Sequence, residues 1–202
     1  MGSAVPGVVG AAVITGYAAA MPVEAGRDIE IVSFELGSPR LEDAARVYAA
    51  VFEEDGQSSA GFFAEQAGRP DFHGRLALTE GTAVGMGFGA RAQSGHWWYD
   101  GIAERVGAAH PALQDAWNLV ELAVVAQARR RGIGTQLVDA LLMAQPCRRV
   151  LLSVIAANTP ARQFYERTGW QYVHPDLSFA RLPQKQFAIM VRESETTDAR
   201  RV

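Results

Sequence analysis

The residues with the clearest capacity for chemistry are the arginines and glycines of residues 129–135, RRRGIGT. Glycine has no side chain, so a ligand can approach its backbone closely. The first N–H groups of a helix have no partner inside the helix and attract anions. Arginine side chains add positive charge at the same place. The turn therefore predicts an anion site formed by Arg129, Arg130, Arg131, Gly132, Ile133, Gly134 and Thr135.

A strand and a helix must hold this turn in place. The apolar residues before it are typical of a short buried strand, and those after it recur at helical spacing. A strand therefore leads directly into a helix. The strand residues are Leu119, Leu122, Val124 and Val125, and the helix residues are Ile133, Leu137, Val138, Leu141 and Leu142.

Two motifs in this half of the chain resemble a known family. The pattern LxVxxxxRxxGxG is filled by Leu122, Val124, Arg129, Gly132 and Gly134, and it resembles the acetyl-CoA signature of the GNAT acetyltransferase superfamily. The later segment NTPARQFYERTGW, residues 158–170, is similar to a second GNAT element. Two motifs in the right order are much more specific than either one alone.

The resemblance implies roles for individual residues. Backbone N–H groups of residues 129–135 would bind the CoA pyrophosphate, with the three arginine side chains adding charge. The pantetheine arm would pair with the strand as an added strand, and the Val124 N–H would polarise the acetyl carbonyl. Tyr165 matches the usual general acid. The full cofactor-binding set comprises residues 129–135 together with Ala123, Val124, Val125, Asn158, Phe164 and Tyr165.

The general base is the point at which the sequence departs from the family. A lysine-like amine with a pKa of about 10.4 costs roughly 4.6 kcal/mol to neutralise at pH 7. Relatives place a base at positions matching Asn118, Val120 or Ser153, and none of these residues can act as one. Glu121 is the nearest carboxylate, but strand alternation predicts that it lies on the opposite face from Asn118 and Val120. We therefore expect the general base to be Glu121, a water held by Asn118, or an acid from residues 53–55.

The sequence signals for the acceptor site are less specific than those for the cofactor site. By resemblance, Phe52, Glu53, Glu54 and Asp55 would border it and recognise a cationic amine, while the alternative is a solvated acidic helix end. The aromatic run Trp97, Trp98 and Tyr99 either lines a pocket or covers the core, and core packing is favoured because aromatic side chains bury large apolar areas.

Composition limits the classes of partner. The 202 residues contain 19 Lys+Arg and 22 Asp+Glu, so the net charge of −3 does not favour nucleic acid. The single Cys147 excludes an internal disulfide, fits a cytoplasmic location and is expected to pack in the core. The four histidines lack metal-ligand spacing, so no metal is expected. No membrane partner is expected either, and the resemblance implies a possible homodimer.

We expect one α/β (α+β) domain in residues 29–193, with a mixed, mostly antiparallel sheet of six or seven strands flanked by helices on both faces. Residues 1–28 are expected to form a poorly ordered tail or an over-extended start, and residues 194–202 a frayed tail. Strands are predicted at 29–36, 75–80, 83–91, 149–155, 170–173 and 186–191, with a loop around residues 174–176. Thr159 is predicted to be the N-cap of the helix after the 149–155 strand, with Pro160 as its first helical residue.

The expected activity is acetyl-CoA-dependent N-acetylation of a primary amine, on a small molecule or a protein, by direct attack on the thioester. The alternative is a catalytically silent acyl-CoA-binding module that regulates a partner. A dinucleotide-binding reading of Gly85–Ala90 is disfavoured, because no helix is predicted directly after that strand.

Overall fold

A computed structural model describes residues 29–52 and 56–194. The predicted N-terminal tail, the acidic residues 53–55 and all of the C-terminal tail except Ser194 lie outside these ranges. Within them the chain forms seven strands and five α-helices. The strands are β1 (Ile29–Phe34), β2 (His73–Thr79), β3 (Thr82–Arg91), β4 (Ala116–Val124), β5 (Arg149–Ile155), β6 (Gln171–Phe179) and β7 (Leu182–Glu193). The helices are α1 (Arg40–Phe52), α2 (Gly56–Ala67), α3 (Trp97–Val106), α4 (Ile133–Ala144) and α5 (Thr159–Arg167).

The strands form one mixed sheet in the order β1-β2-β3-β4-β5-β7-β6. Among the described residues every neighbouring pair is antiparallel except β4 and β5, which are parallel. The predicted mixed, mostly antiparallel sheet is therefore confirmed. The predicted hairpin at Glu80-Gly81 is also present, and both residues have positive φ, of 51° and 76°. Such angles match the right-handed twist of the two strands that the turn joins.

Helices cover both faces of the sheet, as the sequence predicts. On one face α4 and α5 pack with β4 and β5 in a core that contains Leu137, Leu141 and Tyr165. The other face carries two clusters, one under α1 and α2 and one under α3. Phe52 packs against both of these clusters and joins them. We call this second side the α1–α3 face.

The aromatic residues 97–99 and Cys147 pack in the core, as the sequence predicts. Trp98 is almost completely buried in the cluster under α3, while Trp97 and Tyr99 pack at its margin. Cys147 is buried in the core, and burial raises the pKa of its thiol to about 11. Both observations favour packing roles for these residues.

Glycines in β3 let α4 lie close to the sheet. A Cβ added to Gly85 would lie 3.1 Å from the Ile133 side chain, and one added to Gly87 would lie 3.0 Å from Leu141. These distances are tighter than ordinary van der Waals contacts. The glycine-rich run therefore serves close helix–sheet packing, and β3 is followed by a loop and not directly by a helix.

Two predicted boundaries are wrong. Residues 174–176 lie within β6 and not in a loop, because β6 remains paired with the long strand β7 across three register shifts. The N-cap of α5 is Asn158 and not Thr159, since the Asn158 side chain accepts a hydrogen bond from the Ala161 N–H at 3.2 Å. Asparagine is among the best N-cap residues, so this assignment agrees with its chemistry.

Candidate active site

The sheet opens where its parallel pair ends. β4 and β5 are paired at three positions, from Ala116↔Arg149 to Asn118↔Leu151. Beyond Leu151, β5 stays paired with β7 as far as Ile155, while β4 stays paired with β3 as far as Val124. The two strands therefore separate after Asn118 and Leu151. We call the gap between residues 119–124 and 152–155 the β4–β5 fork.

The Val124 N–H faces this fork. The next residue, Val125, donates its N–H to the Val84 carbonyl at 2.9 Å, so the Val125 N–H points towards β3. Successive N–H groups along a strand point to opposite sides, so the Val124 N–H points away from β3. The same alternation turns the Ala123 N–H to β3 and the Leu122 N–H to the fork. Of the three residues predicted to pair with a ligand, Val124 is thus the one that presents its N–H to the gap.

The turn after β4 leaves a series of N–H groups without backbone acceptors. The Arg129 N–H donates to Ala126 and the Gln136 N–H donates to Gly132. Between them, the structure gives no backbone acceptor for residues 130–135 among the residues it describes. Arg130 and Gly132 have positive φ, of 64° and 76°, and such a winding directs successive N–H groups into a common concavity. This geometry suits an anion.

The three arginines differ in what they contact. Arg129 donates its Nε–H to the Val124 carbonyl at 2.9 Å, and burial lowers the pKa of its guanidinium. Its side chain therefore ties the turn to the end of β4. Arg130 is exposed and Arg131 is half-buried, so these two keep their charge at the surface of the turn.

The second motif packs against the first. Asn158 caps α5 and donates its backbone N–H to the Ile155 carbonyl at 2.8 Å, which fixes α5 to the end of β5. A Cβ added to Gly134 would lie 3.7 Å from the Phe164 ring, so the start of α4 lies beside α5. The fold thus brings the residues of both motifs together at the open end of the fork.

Tyr165 lies inside this junction. Its side chain is 0% exposed and its ring packs edge-on against Phe164 and Trp170 at 5.1 and 5.5 Å. Its hydroxyl has no hydrogen-bond partner among the described residues. Burial raises the pKa of this hydroxyl far above its usual value, and the negative charge of Glu121 raises it further. The phenol therefore keeps its proton and stays a hydrogen-bond donor.

Glu121 lies on a different face from the one that strand alternation predicts. The β3–β4 register shifts at this point, because Gly89 pairs with Leu119 and Phe88 pairs with Glu121, leaving Val120 as an extra residue. Cross-strand partners project from the same face, and Phe88 packs in the α1–α2 cluster with Val120. This β-bulge turns Glu121 to the α1–α3 face, which it shares with Asn118. The prediction that Glu121 lies opposite Asn118 is wrong.

Asn118 lies where the fork begins. Its side chain is 1% exposed, and its Oδ1 has no hydrogen-bond partner among the described residues. Buried amide oxygens are nearly always paired with protein or water, so this atom is a place to hold a water or a substrate N–H. Asn118 Oδ1, Glu121 and the phenol of Tyr165 are then the polar groups around the fork.

Ser153 stands on β5 two residues beyond the last β4–β5 pair. Its hydroxyl oxygen accepts a hydrogen bond from Trp98 Nε1 at 3.0 Å, and both side chains are buried. No spacing pattern in the sequence indicates this contact, because 55 positions separate the two residues. The bond fixes the first turn of α3 beside the fork.

Of the proposed acceptor residues, Phe52 joins the two clusters of the α1–α3 face, whereas Glu53, Glu54 and Asp55 lie outside the described residues. In the described ranges, no helix combines the length and the apolar character that crossing a membrane requires.

Comparisons with known proteins agree with this geometry. A sequence profile described as "Acetyltransferase (GNAT) family" matches residues 39–170. A search of curated protein sequences finds no match. Among solved structures, aminoglycoside 6'-acetyltransferase type Ii aligns with a TM-score of 0.60 and 23% identity, over 81% of this chain and 96% of that one. An aminoglycoside 6'-N-acetyltransferase complexed with coenzyme A aligns with a TM-score of 0.59 and 21% identity, over 81% and 96%.

A third neighbour has a different acceptor. It is the Escherichia coli N-acetyltransferase that modifies an alanine of a ribosomal protein, with a TM-score of 0.58 and 15% identity, over 87% of this chain and 99% of that one. At these identities the structural likeness establishes the fold alone.

Proposed function

The chain belongs to the GNAT acetyltransferase family, and from this premise we propose that it transfers an acetyl group from acetyl-CoA to a primary amine. The observation that carries the proposal is the β4–β5 fork, with the Val124 N–H facing it and the turn of residues 130–135 at its open end. A strand edge would hold the pantetheine arm, and the concave turn would hold the pyrophosphate. One fold neighbour is a complex with coenzyme A, which supports the same donor here.

In the proposed reaction the amine nitrogen attacks the thioester carbonyl carbon directly. The Val124 N–H donates a hydrogen bond to the carbonyl oxygen as negative charge develops on it. The carbon–sulfur bond then breaks, and the sulfur takes the proton of the Tyr165 hydroxyl. Because burial raises the pKa of Tyr165, full transfer before the bond breaks is unfavourable. Proton donation therefore accompanies bond cleavage, and a proton from solvent restores the phenol after coenzyme A leaves.

We infer that Glu121 removes the amine proton. The bulge turns its carboxylate to the α1–α3 face, on which Asn118 also lies. A water bonded to Asn118 Oδ1 would relay the proton where the amine does not reach the carboxylate directly. A catalytically silent acyl-CoA-binding module would need no general base, so the position of Glu121 favours the enzyme over this alternative.

The acceptor is a primary amine of a small molecule or a protein. The fold neighbours named above include enzymes for aminoglycosides and for a ribosomal protein, so the fold supports both classes. The homodimer that the resemblance implies stays a prediction, which multi-angle light scattering checks.

Donor binding is tested by calorimetry with acetyl-CoA. We expect micromolar-range binding by the wild type and its loss in the double variant Gly132→Asp, Gly134→Asp, because two carboxylates would then repel the pyrophosphate. Gly61→Asp is the matched control, since a Cβ added at the exposed Gly61 meets nothing within 4 Å. Equal binding by all three proteins would contradict the proposed donor site.

Catalysis is tested by thiol release over a panel of primary amines. We expect amine-dependent release that falls by about 10²- to 10⁴-fold in Tyr165→Phe, the usual range for a general acid. A silent module would bind acetyl-CoA equally well and release no thiol with any amine.

A further inference from the structure

Three basic side chains from distant parts of the chain interact electrostatically on the α1–α3 face. They are Arg69, just after α2, His96, the N-cap of α3, and Arg181, in the turn between β6 and β7. Burial, and after it the charges of Arg69 and Arg181, lower the pKa of His96 to about 4. We call these three residues the basic corner.

An aromatic surface supports the corner. The Arg181 guanidinium lies 5.6 Å from the centre of the Trp97 ring, and the His96 ring lies 6.0 Å from the same indole at an interplanar angle of 31°. A guanidinium held over an aromatic face loses conformational freedom before a ligand arrives. Arg181 is therefore exposed, but its guanidinium is held in a defined position over Trp97.

The positive charge of the corner has little compensation among the described residues. Arg69 donates to two neutral acceptors, Gln66 Oε1 at 2.8 Å and the Arg91 carbonyl at 3.0 Å. None of the ion pairs within the described ranges includes Arg69 or Arg181. The carboxylates that act on the corner are Glu65 and Asp100, and both are exposed.

The imidazole of His96 adds a buried polar atom to this cluster. Its Nδ1 has no hydrogen-bond partner in the part of the chain that the structure describes, and it does not cap α3. Such an atom at a cationic site is a candidate for contact with an oxyanion, because buried polar atoms are otherwise paired.

The first turn of α3 connects the corner to the fork. Trp98, two residues after His96, donates to Ser153 on β5. Two peptide units separate the Cα atoms of His96 and Trp98 by at most about 7.6 Å. The corner also shares the α1–α3 face with Asn118 and Glu121, whereas Tyr165 packs with α4 and α5 on the other face. A ligand in the corner would therefore approach the fork from the side of the base.

We propose that the basic corner binds an oxyanion, a carboxylate or a phosphate, carried by the acceptor amine. The acceptor class is then a primary amine with an acidic group several bonds from the nitrogen, a conclusion that rests on the proposed function. Arginine presents donors in a fork that matches both oxyanions, and charge-assisted hydrogen bonds are the stronger class. The same charges disfavour acceptors that are polycationic near the corner.

The experiment compares acceptors that differ only in the distal charge. Unbranched ω-amino carboxylates with three to eight carbons are assayed for thiol release beside their primary amides, and ω-aminoalkyl phosphates beside the matching amino alcohols. We expect the value of kcat/KM to be at least about tenfold higher for the charged member at the best chain length. Preference for phosphate over carboxylate, or the reverse, identifies which oxyanion the corner takes.

Variants connect this preference to the corner. In Arg181→Gln and in His96→Gln we expect the ratio of kcat/KM for the acid to that for the amide to fall about tenfold. Arg105→Gln, an exposed arginine in the last turn of the same helix, is the control and keeps the wild-type ratio. Arg181 is exposed, so its replacement is a test that does not depend on core packing.

Three outcomes would overturn the inference. Equal rates for acids and amides would do so while leaving the proposed function intact, and so would a preference that all variants retain. A failure to acetylate any member of the series would also overturn it. Calorimetry with acetyl-CoA then distinguishes the causes, because lost donor binding would indicate that the proposed function fails as well.

Discussion

In the proposed mechanism, Glu121 receives the proton of the incoming amine and Asn118 holds the water that can relay it. Glu121 is 2% exposed and its charge acts on Tyr165, so the proposed base and acid influence each other electrostatically. Asn118 cannot take a proton but can hold the water through which one passes. The two side chains should therefore differ in what their replacement changes.

We predict that Glu121→Gln lowers kcat by about 10²- to 10⁴-fold at neutral pH, because a positioned general base contributes that much. The deficit should shrink as the pH rises towards the pKa of the free amine, where less deprotonation is needed. Asn118→Ala should lower kcat less and keep the shape of the pH profile. A uniform deficit at every pH for Glu121→Gln would argue that this residue has only a structural role.

His96 makes the stability of the fold depend on pH. Its pKa is about 4 in the folded chain and about 6.5 when unperturbed, so between these values the unfolded chain binds more protons. The free energy of unfolding should therefore fall as the pH drops from about 6.5 to 4, by at most about 3 kcal/mol. Urea titrations of wild type and His96→Gln should show this loss in the wild type and a smaller one in the variant. Parallel curves would contradict it.

At the scale of elements, local signals in the sequence predict β4 and α4, whereas the β-bulge in β4 is not predictable from them. Apolar spacing and the Arg-Gly turn predict β4, α4 and the junction between them, because these signals are local. A bulge shifts the face of every residue after it, and it depends on pairing with β3. The sequence of β4 alone therefore predicts the wrong face for Glu121.

Contacts between distant segments are also not predictable from the sequence of one element. Trp98 and Ser153 meet because α3 packs over β5, and the basic corner forms because α2, α3 and the β6–β7 turn converge. Neither has a spacing pattern that a single sequence could reveal. By contrast, Asn158, Phe164 and Tyr165 occur in one motif, so their proximity is predictable from helical periodicity.

Gly89 adjoins the bulge, and its replacement should disturb β3 and β4 together. A Cβ at this position would overlap the Asn118 carbonyl oxygen and the Trp117 ring. We predict that Gly89→Ala lowers the free energy of unfolding by about 1–3 kcal/mol, as overpacking typically does. Urea denaturation checks this as a lower midpoint at an unchanged slope.

The matched control is Gly61→Ala, in the exposed part of α2, where an added Cβ meets nothing within 4 Å. Alanine is the better helix former, so this variant should gain about 0.5–1 kcal/mol. Equal effects of both substitutions would contradict the role given to Gly89.

At the scale of the whole molecule, the donor should stabilise the fold by mass action. At a concentration of 100 times its Kd, a ligand that binds only the folded chain adds about 2.7 kcal/mol. For a chain of this size that corresponds to a rise in Tm of roughly 5–11 °C. Differential scanning fluorimetry with acetyl-CoA should show the rise in the wild type, and its absence would contradict the proposed donor site. The variant Gly132→Asp, Gly134→Asp should show none.

The short parallel seam between β4 and β5 is a place where the sheet can open locally. Five strand pairs are antiparallel ladders of adjacent strands, whereas the two halves of the sheet, β1–β4 and β5-β7-β6, share three residue pairs. Units joined by few hydrogen bonds open below the free energy of global unfolding. Amide exchange should therefore be faster along this seam than along the antiparallel ladders, and a ligand bound in the fork should slow it.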